Sequence, residues 1–146
     1  MTFNSFDHTL ERFVDAQAPV YKSVVGELSG GKKTTHWMWF IFPQLKELGR
    51  SPIAKYYGLA SVDEALAYWQ HPILGKRLIE CTQLVMAARS TAIHAIFSSP
   101  DDLKFQSCMT LLAWVAPDEP VFRTALVHFF DRLPDQNTLR LLKLKN

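Results

Sequence analysis

Cysteine is scarce in this chain. Cys81 and Cys108 are the only two among 146 residues, both fall within helical patterns, and no C-x-x-C occurs. A disulfide-built scaffold is excluded on number. The two thiols read as small buried hydrophobes in a reducing compartment, with a single disulfide or a reactive thiol as the alternative. Net charge is also small, at +2, so the strong basic bias of nucleic-acid-binding domains is missing. No helical segment clusters the Arg, Lys, Asn or Gln needed to read bases, and nucleic acid is not expected as a partner. Apolar runs never approach the roughly 18 residues of a membrane span. Met1-Thr2-Phe3-Asn4-Ser5 lacks the basic start and apolar centre of a signal peptide, so the expected location is the cytoplasm. The histidines at positions 8, 36, 71, 94 and 128 do not pair at metal-ligand spacing, and no metal or cofactor is expected. No G-x-S-x-G elbow for a serine hydrolase occurs.

What is present is ordinary for one globular domain spanning 1–146: 48% hydrophobic residues, 12% of the chain aromatic, 21% charged. A chain of this size buries roughly 68–70% of its unfolded surface and needs no staple. The apolar pattern is helical almost throughout. Phe6, Leu10, Phe13 and Val14 share a face that ends on Gln17, and Tyr21, Val24, Val25 and Leu28 form a second stripe closed by Gly30-Gly31. Residues 36–42 predict a short buried helix stopped before Pro43. Ser51 and Ser61 read as N-caps, the first with Pro52 behind it and the second in a capping box with Glu64. Leu74, Leu78, Cys81, Val85 and Ala88 run down one side of an outer helix.

After a short helical segment over 91–98, Ser99-Pro100-Asp101-Asp102 predicts a helix start. That helix is apolar around most of its circumference and should be central. A further helix over 119–132 points Phe122, Leu126, Phe129, Phe130 and Leu133 inward, and a last runs from Asp135 to about Leu144, with Lys143 and Lys145 suiting its C-terminal end. The fold class is all-α, with about seven or eight short helices.

One run stands apart: Gly30-Gly31-Lys32-Lys33-Thr34-Thr35-His36-Trp37-Met38-Trp39-Phe40-Ile41-Phe42-Pro43-Gln44. Its polar lead-in is foreign to a core segment and its aromatics are foreign to a solvent loop. It lacks the first glycine of a Walker loop and follows a helix, so it is no phosphate loop of that type. A general anion site built from Lys32, Lys33 and backbone N–H groups is one reading, a solvated lysine loop the other. Elsewhere His71 precedes Pro72 at a helix start, and Arg77 lies at the edge of an apolar stripe. Burying such polar groups costs about 1–3 kcal/mol each unless something bonds them. They either satisfy one another or keep part of their capacity for a ligand. In the second case Trp37 or Trp39 stacks on a planar ring, Lys32 and Arg77 neutralise a phosphate or carboxylate, and His36 or His71 donates or moves a proton.

His36-Trp37-Met38-Trp39-Phe40-Ile41-Phe42-Pro43-Gln44 resembles the signature of a bacterial and fungal family, domain of unknown function 1810. Arg12-Phe13, Gln17, Tyr21, Glu27-Leu28 and Gly31-Lys32 resemble its opening. Leu48-Gly49-Arg50-Ser51, Ala54, Tyr57, Ser61 and Ala65 follow in order. His71-Pro72-Ile73-Leu74-Gly75-Lys76-Arg77-Leu78 resembles a second block, and Asp101, Lys104 and Ser107 a weaker third. The resemblance covers nearly the whole chain and implies a compact multihelical domain. It implies no activity.

The expectation is a helical domain that binds a small anionic ligand, nucleotide-like or phosphate-bearing. Its pocket would be lined by the Lys32–Gln44 and His71–Arg77 segments, with Lys32, His36, Trp37, Trp39, Gln44, His71 and Arg77 as binding residues. No catalytic residue is identified; acid–base chemistry by His36 or His71 is the simplest reaction on offer. The alternative is a non-enzymatic protein-interaction or homodimerisation domain that uses the aromatics as a docking face.

Overall fold

Ten helices and one 3-10 turn make up the computed structural model, which describes residues 6–145, of Lys145 the backbone only. The leader reading of residues 1–5 and the side chain of Lys145 therefore lie outside the described residues. In chain order the elements are α1 (Asp7–Gln17), α2 (Tyr21–Ser29), α3 (Met38–Ile41), the 3-10 turn (Lys46–Leu48), α4 (Pro52–Tyr56), α5 (Val62–Gln70), α6 (Leu74–Ala87), α7 (Ile93–Phe97), α8 (Asp101–Val115), α9 (Pro120–Phe130) and α10 (Gln136–Lys145). The all-α architecture follows the periodicity. The helix number is ten rather than seven or eight because α3, α4 and α7, each foreshadowed by a short helical segment, stand as separate single turns of four or five residues.

The centre is α8. Phe105 and the unbroken stretch Ser107 to Leu112 are all buried, which a helix tolerates only when neighbours cover every side. Those neighbours are α5, α7, α9 and α10. A second layer forms where α6 packs on α2, α5 and α9, and α1 lies across α3. Each large apolar side chain removed from water here contributes about 1.5–3 kcal/mol. Cys81 and Cys108 are free and fully buried in this core.

The N-caps at Ser51 and Ser61 form as the sequence predicts, while two helix-start readings and one inward residue are corrected. Ser51 Oγ accepts from Ala54 N at 3.2 Å and Ser61 Oγ from Glu64 N at 3.0 Å. The Glu64 carboxylate, however, does not close the capping box on Ser61. It reaches back one residue further to Ala60 N (2.8 Å) and takes Thr9 Oγ1 at 2.9 Å and the Arg12 guanidinium at 3.4 Å. Ser99 does not cap α8: Pro100 occupies the N-cap position after a cis Ser99–Pro100 bond. Leu133 is not inward but 61% exposed, because Asp131 and Arg132 adopt φ of 55° and 68°. That left-handed turn ends α9 at Phe130 and throws the next residues off its inner face.

Residues 44–59 form a closed loop around α4. Lys46 N donates to Leu59 O (2.8 Å) and Leu59 N to Gln44 O (2.9 Å), a single parallel bridge. Arg12 fastens the loop from α1 through Tyr56 O (2.9 Å) and Gly58 O (3.1 Å). Gly58 is required where the two ends meet, since a Cβ there would lie 2.4 Å from Lys46 Cα. The loop positions Gln44 and the Leu48–Ser51 turn.

Candidate functional site

The polar lead-in of the signature run is folded around one carboxylate. Gly31, at φ +77°, turns the chain after α2. The following strand of loop passes Glu27, whose Oε1 accepts from Thr34 N (2.7 Å), Thr35 N (2.9 Å) and Trp37 Nε1 (3.0 Å), while Oε2 accepts from Thr35 Oγ1 (2.6 Å). Burial alone would raise the pKa of Glu27, but these four donors outweigh it and hold the pKa at about 2. The backbone N–H groups expected to receive an external anion are thus occupied by an internal one. Lys32 N and Lys33 N are also spent, on Glu27 O and Ile96 O.

The candidate residues separate into different environments. Trp37 is 1% exposed and packs against Phe42 and Phe97, so it belongs to the core and has no face for a ligand ring. Lys32 and His36 are exposed on the lead-in loop. His71 ends α5 and caps α6: its Nδ1 accepts from Ile73 N (3.1 Å) and Leu74 N (3.3 Å). Burial lowers its pKa against the opposing charge of Asp7, keeping that lone pair available for the cap and therefore unavailable to a general base. Arg77 donates to Gln17 Oε1 (3.3 Å) and lies over the Tyr21 ring at 4.8 Å. Gln17, fully buried, spends its amide on Phe40 O (2.6 Å) and Tyr68 Oη (3.0 Å). The Arg77 end of the second block thus ties α6 to α1 and α3, as the structural reading of these polar groups requires.

Trp39 and Gln44 lead elsewhere. Trp39 is half-covered, with the Lys104 ammonium 5.5 Å from its ring centroid. Gln44 marks the edge of a cleft of about 470 Å³ between the 44–54 loop, the N-terminal half of α8 and the start of α10. Its apolar lining comes from Leu48, Ala54, Pro100 and the exposed Leu103, and its polar lining from Gln44, Arg50, Ser51, Lys104, Ser107, Asp135 and Asn137. A smaller recess joins it to Trp39 and Tyr57 through Gln44, Ala54 and Lys104. Neither His71 nor Arg77 lines this cleft. This cleft is walled by α8 and α10, and the His71–Arg77 segment takes no part in it.

Of the cations lining the cleft, Lys104 is paired with Asp101, which does not itself line it. The Asp101 carboxylate lies 3.0 Å from Lys33 Nζ and 3.5 Å from Lys104 Nζ, and Lys33 in turn sits 5.2 Å from the Trp37 ring centroid. Two ammonium groups share one carboxylate between two tryptophans. The side chains of Gln44, Arg50 and Asn137 make no hydrogen bond or ion pair among the described residues, and only one oxygen of Asp135 is engaged, by Thr138 N (2.9 Å) and Thr138 Oγ1 (2.6 Å). Sequence offers Arg50 only within the family-like Leu48–Ser51 stretch, Lys104 only in the weaker third block, Asp135 only as a helix start, and Asn137 not at all.

The described residues contain no group of His, Cys, Asp and Glu able to hold a metal ion, and none of their helices is long and apolar enough to cross a membrane. A search of curated proteins found no match. The chain is similar over 96% of its length to the conserved hypothetical protein Rv1873 from Mycobacterium tuberculosis, whose crystal structure at 1.38 Å it matches with a TM-score of 0.92, 50% identity and 99% coverage of that chain. At that identity the helices that build the cleft share one fold in both proteins. The model of a protein family of unknown function, DUF1810, matches residues 7–142, every element from α1 to most of α10. The lead-in folded on Glu27, the buried Trp37 and the cleft edge at Gln44 are thus features of a chain that belongs to the DUF1810 family.

Proposed function

We propose that the cleft beside Gln44 is a binding site for a small ligand carrying an anionic group, a carboxylate or a phosphate. The observation that carries this reading is the set of unengaged polar side chains beside one apolar lining: the Arg50 guanidinium and the Gln44 and Asn137 carboxamides have no partner among the described residues, and all three line the same cleft. A volume of about 470 Å³ falls in the range of small-molecule sites, which combine apolar lining with a few placed polar groups. Arg50 supplies a fork that matches two anion oxygens. Lys104 supplies a second cation, moderated by Asp101. Trp39, behind Lys104, faces an adjoining recess with room for about one water and none for a ligand ring.

A thermal-shift screen with carboxylates, sugar phosphates and nucleotides tests the reading. A ligand present at about 100 times its dissociation constant adds roughly 2.7 kcal/mol of stability. Arg50→Gln should abolish most of that shift, whereas His36→Ala should leave it intact. A shift that survives Arg50→Gln and disappears in His36→Ala would move the site to the lead-in loop and refute the proposal.

A further inference from the structure

Resting on the reading of the cleft as a small-ligand site, we infer that its occupant is a zwitterion, a small amino carboxylate, rather than a polyanion. The cleft lining carries both signs. Its cations are Arg50, unpaired among the described residues, and Lys104, whose ammonium is shared with Asp101 at 3.5 Å. Its carboxylate is Asp135, whose Oδ2 accepts both bonds from Thr138 while Oδ1 accepts none among the described residues. A phosphate or dicarboxylate seated here would meet Arg50 at the cost of bringing a second negative charge against Asp135. An amino carboxylate avoids that cost: its carboxylate takes the Arg50 fork and its ammonium takes the free oxygen of Asp135. Opposite charges on the two partners are then arranged in complementary order, the pattern by which a site rejects ligands of one sign alone. The apolar lining of Leu48, Ala54 and Leu103 suits an aliphatic spacer or side chain between or beside the charged ends.

The two charged residues come from parts of the chain that fold independently of the ligand. Arg50 lies in the turn that Ser51 and the Leu45–Leu59 bridge hold closed. Asp135 is fixed by Thr110 Oγ1, which accepts from its backbone N–H at 2.8 Å. Removing the charge of Asp135 need not remove its capping role, because asparagine caps helices as well as aspartate does.

The test is an NMR titration of the full chain with amino carboxylates from glycine to 6-aminohexanoate and with L-glutamine, each paired with the same acid lacking its amino group, and with inorganic phosphate. Resonances of Gln44, Arg50 and Asn137 report occupancy. The best amino carboxylate should bind at least tenfold more tightly than its paired acid. Asp135→Asn should cut that advantage to about twofold or less while leaving the paired acid unchanged or slightly tighter; Arg50→Gln should weaken both. Phosphate or a plain acid binding as tightly as every amino carboxylate, or an advantage that survives Asp135→Asn, would overturn the zwitterion while leaving the anion site standing. If no anion of any kind moves those resonances, the binding reading of the cleft falls as well.

Discussion

Replacing Glu27 by glutamine should destabilise the protein at neutral pH and leave it nearly unaffected in acid. The carboxylate accepts four hydrogen bonds, three of them on Oε1, and one comes from the indole of the buried Trp37. Glutamine keeps the shape and one acceptor oxygen, so the loop can still close on it; what is lost is the charge. The fall in pKa from 4.5 to about 2 converts in full to about 3.4 kcal/mol. The side chain is only partly buried, so solvent screening brings the expected loss to about 1–2 kcal/mol. A carboxyl whose pKa is lowered on folding stabilises fully above its unfolded value near 4.5, and that contribution disappears as pH falls towards 2. Urea denaturation of the wild type and Glu27→Gln, followed by tryptophan fluorescence from pH 7 to 2.5, isolates this group because every other carboxylate is common to both. The gap between the two proteins should be widest at pH 7 and largely closed near pH 2.5. Equal midpoints at pH 7, or a gap that does not narrow in acid, would refute the view that Glu27 acts as the internal anion of the lead-in loop.

Glycine substitutions should separate by position. Gly75→Ala places a Cβ 2.1 Å from Trp69 O, a backbone atom that cannot step aside, and should cost roughly 2–4 kcal/mol or prevent folding. Gly26→Ala, inside α2 with nothing within 4 Å, should raise stability by about 0.5–1 kcal/mol; thermal melts of the two variants check both signs. Gln17→Leu should cost about 1–3 kcal/mol by leaving Phe40 O in the core with only a long 3.5 Å contact from Tyr68, and a urea midpoint within 0.5 M of wild type would count against it. Burial pushes the Cys81 thiol up to about 12 and Cys108 higher still. A thiol-specific reagent at pH 8 should therefore label the native protein at least a hundredfold more slowly than the protein in guanidinium.

The fold is legible where local chemistry decides it. The stripes of α1, α2, α6 and α8 and the caps at Ser51 and Ser61 stand where spacing puts them. Legibility fails where a residue some 50 positions away intervenes. Glu64 has the right spacing for a capping box with Ser61, but Thr9 and Arg12 of α1 approach its carboxylate and draw it past that position. Leu133 keeps the period of α9 after the backbone has left the helix, and hydrophobic spacing cannot register a left-handed turn two residues earlier.

The site divides along the same line. That polar residues among apolar ones need partners is readable from composition, and Arg77, Gln17 and Glu27 find theirs inside the protein: a guanidinium on an amide, an amide on a carbonyl, a carboxylate on four donors. Arg77 is a binding candidate in sequence because burying it is costly, and the same cost explains why folding satisfies it, as it does Gln17 and Glu27. A ligand site draws instead on polar groups that folding leaves unengaged, and such groups are cheap to leave at a surface rim. Neither Arg50 nor Asn137 stands out in sequence as a binding residue, because an exposed arginine or asparagine needs no explanation there. Only the approach of α8 and α10 to the 44–54 loop, elements 50 to 90 residues downstream, gathers them beside one apolar lining. Gln44 belongs to both groups, as the last residue of the aromatic run and the first of the cleft. Its backbone carbonyl is bound in the Leu45–Leu59 bridge while its carboxamide has no partner among the described residues, so one residue both closes the loop and keeps a polar group for the cleft.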